Sequence, residues 1–232
     1  KISKIAELTE AEVSEKILQL SGGELDFPEH IQALTVAMMD LDEYRFQELT
    51  QIITEAYGFE NYMLRVIYPF LTRLGTLWLS GSVGPAQEHF ISCLIRQKLF
   101  SMIESLKHLP VTKEKTLVLY LPELEIHEIS LIMLQYVFKS RGYKTIFLGQ
   151  SVPVDDLVQI QQRLGDVHFV SILTTNPMPL LLNDYMKKIS KLFVDSECFF
   201  HFTGFIVKGQ KSIDFQLISY YNTVEELMAQ FD

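Results

Sequence analysis

The turn between a short apolar strand and a long apolar helix reads Leu121-Pro122-Glu123-Leu124-Glu125-Ile126-His127-Glu128-Ile129-Ser130. The strand runs from Thr116 to Leu121, and the helix continues to Arg141. Open α/β folds bind their ligands outside the carboxyl ends of parallel strands. His127 follows such an end and Glu125 stands two positions before it, so this turn is a candidate ligand site. A histidine that only caps or hydrogen-bonds the start of the helix is the plainer alternative.

Beyond residue 110 the sequence alternates between strand-like and helix-like segments. The strand-like segments are short, β-branched or aromatic runs at 116–121, 144–148, 167–173, 198–202 and 213–219. The helix-like segments are 127–140, 154–164, 180–194 and 224–231. The crossover rules predict a mainly parallel, doubly wound α/β sheet with the flavodoxin-like order of five strands. The loops 122–126, 174–179 and 203–207 then meet at one edge of the sheet, around His127.

Between residues 27 and 110 the apolar period is helical. It predicts four helices with short connections, which favour an antiparallel bundle, at 29–41, 43–57, 60–80 and 85–106. Pro69 lies inside the third helix and must kink or interrupt it, because proline lacks a backbone N–H donor. A capping box of Thr9 and Glu12 begins a helical pattern in the leader. We therefore predict three regions: a leader 1–26, an all-α four-helix bundle 27–110 and an α/β domain 111–232.

The composition restricts the classes of function. The formal net charge is -9, and the basic residues do not gather into a face that would bind nucleic acid. Cys93 and Cys198 belong to no C-x-x-C unit, and both are expected to be buried free thiols of a cytoplasmic protein. The sequence has no apolar run of about 18 residues and no secretory leader, so neither a membrane span nor a signal peptide is expected.

Two common functions of a doubly wound domain are disfavoured by the residues themselves. A phosphate-accepting receiver needs an acidic cluster at the third strand, where this chain has Ser171, Thr174 and Thr175. It also needs a lysine near the fifth strand, and none ends that strand. No G-x-G-x-x-G motif follows the first strand, which disfavours a dinucleotide site. His168 and His201 lie in or beside apolar strand segments and are expected to be structural.

Four short motifs at the predicted edge of the sheet share one family resemblance. They are Glu125-x-His127-x-x-Ser130, Gly149-x-x-Val152-Pro153, Ser171-x-Leu173 and Thr203-Gly204. They resemble the D-x-H-x-x-G, G-x-x-V-P, S-x-L and G-G motifs of the cobalamin-binding domain family. The resemblance implies that His127 ligates cobalt from the lower side and that Glu125 orients its ring. It also implies that Ser171 meets the displaced nucleotide tail.

Three positions depart from that family pattern. Glu125 replaces an aspartate, whose side chain is one methylene shorter. Ser130 and Thr203 replace glycines that let a ligand approach closely, so we expect their side chains to crowd the nucleotide tail. Phe205 is expected to narrow the same edge.

A second resemblance concerns the helical bundle, where Trp78 is followed after nine residues by Glu88-His89. This signature resembles the helical cap of light-sensing, cobalamin-dependent repressors of the MerR type, in which a four-helix bundle covers the upper face of the corrin. The resemblance implies that Trp78 packs on an upper adenosyl group and that Glu88 contacts its ribose or adenine. His89 would reach cobalt once the adenosyl group is lost. The alternatives are a bundle-core tryptophan and surface polarity at a helix start.

As a whole, the chain resembles the ligand-sensing and oligomerisation region of a MerR-type transcriptional regulator. The resemblance implies adenosylcobalamin bound between the helical cap and the α/β domain, and a homo-oligomer in the cytoplasm. Operator DNA would be bound through an N-terminal head that this chain lacks. The resemblance implies a sensor and not an enzyme. Two alternatives stay open: a corrinoid carrier protein of a methyltransferase, and a degenerate member that serves for oligomerisation or for another ligand.

Overall fold

The computed structural model describes residues 27–174, 182–210 and 217–232. The chain divides into two compact units between Leu94 and Ile95. The predicted leader 1–26, most of the loop 174–179 and the first part of the predicted strand 213–219 lie outside the described residues. In the described part of the chain, no helix has the length and apolar character that a membrane crossing requires.

The first unit is helical. Its elements are α1 (Phe27–Met39), α2 (Glu43–Tyr57), the single turn α3 (Phe59–Asn61), a π-helical turn (Tyr62–Ile67), α4 (Tyr68–Leu79) and the first half of α5 (Pro85–Ser105). Pro69 is the second residue of α4 and closely follows the π turn. A proline ring crowds the carbonyl one turn before it, and the wider π turn relieves that contact. The predicted interruption of the third helix is therefore confirmed, in the form of a π turn.

Apolar side chains from α1, α2, the π turn and α4 form the core of this unit, among them Leu34, Met38, Phe46, Ile53, Val66 and Phe70. Helix α5 adds Ile91 and Leu94, whereas Cys93 is exposed. The prediction that Cys93 is buried is wrong, because on an α-helix position 93 lies roughly opposite positions 91 and 95. In the second unit Cys198 is buried, as predicted.

The second unit is an α/β domain. Its elements are β1 (Thr116–Pro122), α6 (Ile129–Ser140), β2 (Lys144–Val152), α7 (Val154–Leu164), β3 (His168–Ile172), α8 (Leu182–Leu192), β4 (Phe199–Thr203), β5 (Ile218–Tyr220) and α9 (Val224–Ala229). The strand order is β2-β1-β3-β4-β5, and each neighbouring pair is parallel. The predicted five-stranded, doubly wound sheet is therefore confirmed.

Helices cover both faces of this sheet. On one face, side chains of α7 and α8 pack in a cluster that includes Tyr120, Val154, Leu157, Phe169, Tyr185, Ile189 and Phe202. Neighbouring residues of a strand point to opposite faces, so His168 points away from this cluster. Its ring contacts Phe231, which follows α9, and Phe231 contacts Phe138 of α6. Helices α6 and α9 therefore cover the other face.

His168 and His201 form a hydrogen-bonded pair on that second face. His168 Nδ1 lies 2.9 Å from His201 Nε2, and His201 Nδ1 lies 2.9 Å from the Tyr221 hydroxyl oxygen. Burial lowers the pKa of both imidazoles, and that of His201 falls to about 3. Both rings are therefore neutral near pH 7 and serve the packing of the sheet, in line with their predicted structural role.

The sheet is irregular where β1 and β2 end. The pairing shifts register between Leu119 and Tyr120 and again between Tyr120 and Pro122. Gly149, at φ 80°, and Ser151, at φ 54°, have left-handed backbone conformations there. With these irregularities β2 continues to Val152, past its predicted end at residue 148. Gly149 pairs with Tyr120 and Val152 with Pro122, so the motif around them lies beside the end of β1.

Candidate functional site

Glu125 and His127 form a hydrogen-bonded pair just after the carboxyl end of β1. Glu125 Oε1 lies 2.6 Å from His127 Nδ1, the contact that the family resemblance implies. The carboxylate is buried, whereas 52% of the imidazole side chain is exposed. A carboxylate that accepts the Nδ1 proton favours the tautomer in which Nε2 carries the lone pair. The pair therefore presents a half-exposed imidazole in a form that suits metal ligation through Nε2.

The Glu125 carboxylate also holds the backbone around it. Its Oε1 accepts the backbone N–H groups of Ile126 at 2.9 Å and of His127 at 3.0 Å. Its Oε2 accepts the backbone N–H of Thr174, shortly after β3, at 3.2 Å. Hydrogen bonds to an ionised acceptor are stronger than those between neutral groups. The carboxylate therefore ties the loop after β1 to the end of the neighbouring strand and anchors the imidazole between them.

Ser151 fixes the same loop from the side of β2. Its Oγ accepts the Leu124 backbone N–H at 3.1 Å, and its own backbone N–H donates to the Glu125 carbonyl at 3.3 Å. Leu124, at φ 70°, and Ser151 both have left-handed conformations, which cost about 1–2 kcal/mol in a non-glycine residue. The two hydrogen bonds hold this strained turn together. The sequence does not predict this role, because Ser151 occupies an unspecified position of the G-x-x-V-P motif.

Four of the predicted site residues meet where β3 and β4 end. The Leu173 N–H donates to the Thr203 carbonyl at 2.8 Å. Gly204, at φ 112°, lies so close to Leu173 that an added Cβ would stand 2.5 Å from the Leu173 carbonyl oxygen. Glycine is therefore required at position 204 by the neighbouring backbone. Ser171 is fully buried, and its Oγ has no hydrogen-bond partner among the described residues.

The three side chains expected to obstruct the site, Thr203, Phe205 and Ser130, differ in their burial and contacts. Thr203 is fully buried and its hydroxyl donates to the Tyr221 carbonyl at 3.0 Å, so this hydroxyl is directed towards the chain after β5. The expected crowding of a nucleotide tail by the Thr203 side chain stays a prediction. Phe205 is 79% exposed, and its expected narrowing of this edge of the sheet stays a prediction. Ser130 is half-buried in the first turn of α6, and its predicted effect on a nucleotide tail stays a prediction.

Exposed apolar side chains flank the Glu125–His127 pair. Leu124 and Ile126 each expose more than half of their surface on the loop that carries the pair. Exposed apolar side chains can bury their surface against a ligand. The loop therefore combines a metal-capable imidazole with apolar contact area.

In the helical unit, Trp78 lies outside the core. It stands near the end of α4 and is 55% exposed, and the adjacent Leu79 is exposed as well. Tryptophan is highly buried on average, so an exposed one beside an exposed leucine is informative. The alternative of a bundle-core tryptophan is wrong.

Glu88, His89 and Ser92 form a second histidine–carboxylate group, in the first turns of α5. Glu88 Oε2 lies 2.5 Å from His89 Nδ1, and Glu88 Oε1 accepts the Ser92 hydroxyl at 2.7 Å. The His89 side chain is mostly exposed. As in the α/β unit, a carboxylate at Nδ1 favours a lone pair on Nε2. Both Glu88 oxygens are engaged within α5, and its predicted contact with a ribose or adenine stays a prediction.

The donor set defines which metals the α/β unit can hold. In residues 27–174, 182–210 and 217–232, no three or more His, Cys, Asp or Glu side chains are grouped to hold a metal ion. The Glu125–His127 pair offers one imidazole nitrogen to a metal. A bare metal ion needs several protein ligands, whereas a metal held in a macrocycle needs fewer.

Comparisons with known proteins find similarity to cobalamin-related proteins, and the family match lies in the helical elements and not at the Glu125–His127 pair. Residues 30–100 match the family described as "B12 binding domain". A stretch of 126 residues, 54% of this chain, is 27% identical to the HTH-type transcriptional repressor CarH of Myxococcus xanthus. That stretch spans 41% of the length of the repressor. The chain thus contains a region similar to B12 binding domains and is related over half its length to this repressor.

A solved structure shares the architecture of both units. The monomethylamine corrinoid protein of Methanosarcina barkeri superposes with a TM-score of 0.72 over 88% of this chain and 97% of that protein. The two sequences are 13% identical, so this likeness concerns the fold.

Proposed function

We propose that the chain binds cobalamin on its α/β unit, with His127 as the lower protein ligand of cobalt. The observation that carries the proposal is the Glu125–His127 pair at the carboxyl end of β1, in which Nδ1 and Oε1 are 2.6 Å apart. The match of helical residues 30–100 to B12 binding domains and the similarity to the repressor support cobalamin binding by the chain. His127 Nε2 would bind cobalt, and Glu125 would keep the ring in position.

The residues present fit this cofactor. A corrin supplies the equatorial ligands of cobalt, so one imidazole is a sufficient protein contribution. The buried Ser171 hydroxyl, unpartnered among the described residues, is a polar group for the nucleotide tail. Leu124 and Ile126 offer apolar area to the macrocycle.

When bound, cobalamin supplies an upper cobalt–carbon bond that light can break. The residues of the chain bind and orient it: Glu125 keeps a proton at His127 Nδ1, and Ser151 holds the loop in place. In the helical unit we propose that Trp78 packs on an upper adenosyl group and that Glu88 contacts it. His89 would ligate cobalt when that group is lost, and its Nδ1 contact with Glu88 favours this.

We further propose that cofactor binding regulates transcription and that the chain is a sensor and not an enzyme. The similarity to an HTH-type transcriptional repressor supports a sensory and oligomerisation role in a MerR-type regulator. The net charge of -9 makes this part of the protein unsuited to DNA, so a separate head would bind the operator. A ligand that binds one assembly state better shifts a homo-oligomer towards that state.

Gel filtration with absorbance detection tests the ligand claim. Protein incubated in the dark with adenosylcobalamin is expected to elute with the corrinoid absorbance. His127→Ala is expected to lose most of it, whereas His108→Ala, at an exposed position outside the site, is expected to keep it. Elution of the wild-type protein without corrinoid would overturn the proposal and favour the degenerate alternative. Light scattering on the same samples, dark and illuminated, tests the regulatory part, which an unchanged oligomer would contradict.

The second candidate is a corrinoid carrier protein of a methyltransferase. The shared fold, over nearly the whole of a corrinoid protein, is the observation in its favour. A carrier must expose the upper face of its corrinoid to partner enzymes, whereas the exposed Trp78 is proposed here to cover that face. Transfer of the cobalt-bound methyl group from the methylcobalamin-loaded chain to a thiol acceptor, with a methyltransferase added, would favour the carrier.

A further inference from the structure

His89 and Cys93 lie on one exposed face of helix α5. They are four positions apart in this continuous helix, and both belong to the helical unit. Side chains four positions apart on an α-helix are neighbours, with Cβ atoms about 5–6 Å from each other. The His89 side chain is 76% exposed, and Cys93 is exposed as well. An imidazole and a thiol are therefore side by side and accessible from solvent.

The imidazole of this pair is held from the side of the core. Ser92 is buried, and its hydroxyl donates to Glu88 Oε1 at 2.7 Å. The other oxygen, Glu88 Oε2, lies 2.5 Å from His89 Nδ1. A carboxylate at one ring nitrogen is the usual support of a histidine that ligates a metal through the other. Ser92 and Glu88 thus fix the ring and favour a lone pair on Nε2.

The pair has the chemistry of half a zinc site. Two ligands at positions i and i+4 of a helix face can bind one metal ion, as in the zinc-binding H-E-x-x-H motif. Zn²⁺ takes imidazole nitrogen and cysteine sulfur, and its structural sites have four ligands. Within the described ranges 27–174, 182–210 and 217–232, no group of three or more His, Cys, Asp or Glu could hold a metal. The remaining ligands must therefore come from another molecule.

We propose that His89 and Cys93 bind Zn²⁺ and that a second copy of the chain completes the site with the same two residues. Two such pairs make a Cys2His2 set, which is a common structural zinc site. When the thiol binds the metal, its proton passes to solvent. Zinc then links two helical units through their α5 faces and stabilises the dimer by mass action.

This zinc site is separate from the proposed lower cobalt ligand, but His89 can serve only one metal at a time. All measurements therefore use the cofactor-free protein. Failure of the zinc proposal would leave cobalamin binding untouched, and failure of cobalamin binding would leave the zinc proposal standing.

Titration with Zn²⁺ against a chromophoric chelator, with a thiol-free reductant present, tests the site. We expect one zinc ion per two chains, and with Co²⁺ in its place a thiolate-to-cobalt charge-transfer band. Light scattering during dilution is expected to show a dimer that persists further with zinc than with a chelator. His89→Ala and Cys93→Ser are expected to lose all three signals, whereas Cys198→Ser, at the buried cysteine, keeps them. Glu88→Gln is expected to bind zinc about 10- to 100-fold more weakly.

The contrary outcomes are distinct. Absence of zinc binding by the wild-type protein would overturn the proposal, and so would binding that persists in both His89→Ala and Cys93→Ser. One zinc ion per chain, with no effect on the dimer, would overturn completion by a second copy. A dimer that survives the chelator and disappears with reductant would be a disulfide and would also overturn it. Because both side chains are exposed, the two variants are expected to fold as the wild type does, which circular dichroism checks.

Discussion

Replacing Glu125 by glutamine removes the charge of the buried carboxylate with little change of shape. Oε1 of Glu125 accepts N–H groups of Ile126 and His127, including the imidazole Nδ1–H, and Oε2 accepts the Thr174 N–H. The amide oxygen of glutamine can still accept the three hydrogen bonds that Oε1 accepts from Ile126 and His127. Its NH2 group then faces the Thr174 N–H, and two donors cannot bond. The variant therefore leaves the partly buried Thr174 N–H unsatisfied and weakens the bond to the imidazole.

The magnitude follows from these contacts. An unsatisfied buried donor costs about 1–3 kcal/mol, and the change from a charged to a neutral acceptor weakens a hydrogen bond by about 1 kcal/mol. We expect the unfolding free energy of the α/β unit to fall by about 2–4 kcal/mol in Glu125→Gln. Without the orienting carboxylate, the affinity for cobalamin is expected to fall about 10- to 100-fold.

Urea unfolding followed by circular dichroism measures the change in stability, and an absorbance titration measures the affinity. Glu123→Gln is the matched control, at an exposed position of the same loop, and is expected to change the unfolding free energy by less than about 0.5 kcal/mol. Glu125→Asp keeps the charge and is expected to retain more affinity than Glu125→Gln. A Glu125→Gln protein as stable as the wild type would refute the reasoning, because the carboxylate would then not anchor the loop.

Three further outcomes are expected. Gly204→Ala places Cβ 2.5 Å from the Leu173 carbonyl oxygen. It should lower the unfolding free energy by more than about 2 kcal/mol in a urea titration. In the control Gly209→Ala, nothing lies within 4 Å of the added Cβ, and the unfolding free energy should fall by only about 1–2 kcal/mol. The pKa of His201 in the folded protein is about 3, against an ordinary 6.5. The unfolded chain therefore binds the proton first, and this group should lower the unfolding free energy by at most about 1.4 kcal/mol per pH unit as the pH falls below 6.5. Unfolding curves of His201→Phe between pH 6.5 and 5 should show a shallower decline. Trp78→Ala removes an exposed side chain and should lower the unfolding free energy by less than about 1 kcal/mol, and a larger loss would mean that Trp78 is part of the core.

The order of the sheet could be predicted from the sequence because its signals are local and repeated. Apolar strand-like runs alternate with segments of helical period, and the crossover rules leave few topologies for such a chain. The extension of β2 to Val152 could not be predicted in the same way. It depends on a left-handed Ser151, a conformation that L residues seldom adopt and that the sequence does not signal.

The Glu125–His127 contact was implied by the family resemblance of the Glu125-x-His127 motif, whose two residues lie on one short loop. The bond from Thr174 to the same carboxylate joins positions 49 apart and depends on how β1 and β3 align. The direction of the Thr203 hydroxyl depends likewise on the course of the chain near Tyr221. From the sequence, a threonine in place of the family's glycine suggests that its side chain obstructs the ligand site. In the structure the Thr203 hydroxyl donates a hydrogen bond to the Tyr221 carbonyl.

Electron paramagnetic resonance of bound cob(II)alamin tests the central claim most directly, because the unpaired electron couples to the nucleus of the lower nitrogen ligand. Protein labelled with ¹⁵N-histidine is expected to split each cobalt line into a doublet, in place of the triplet given by unlabelled protein, and His127→Ala is expected to remove the doublet. A triplet in the labelled protein would contradict the account, because the nitrogen would then come from the cofactor's own base and not from His127.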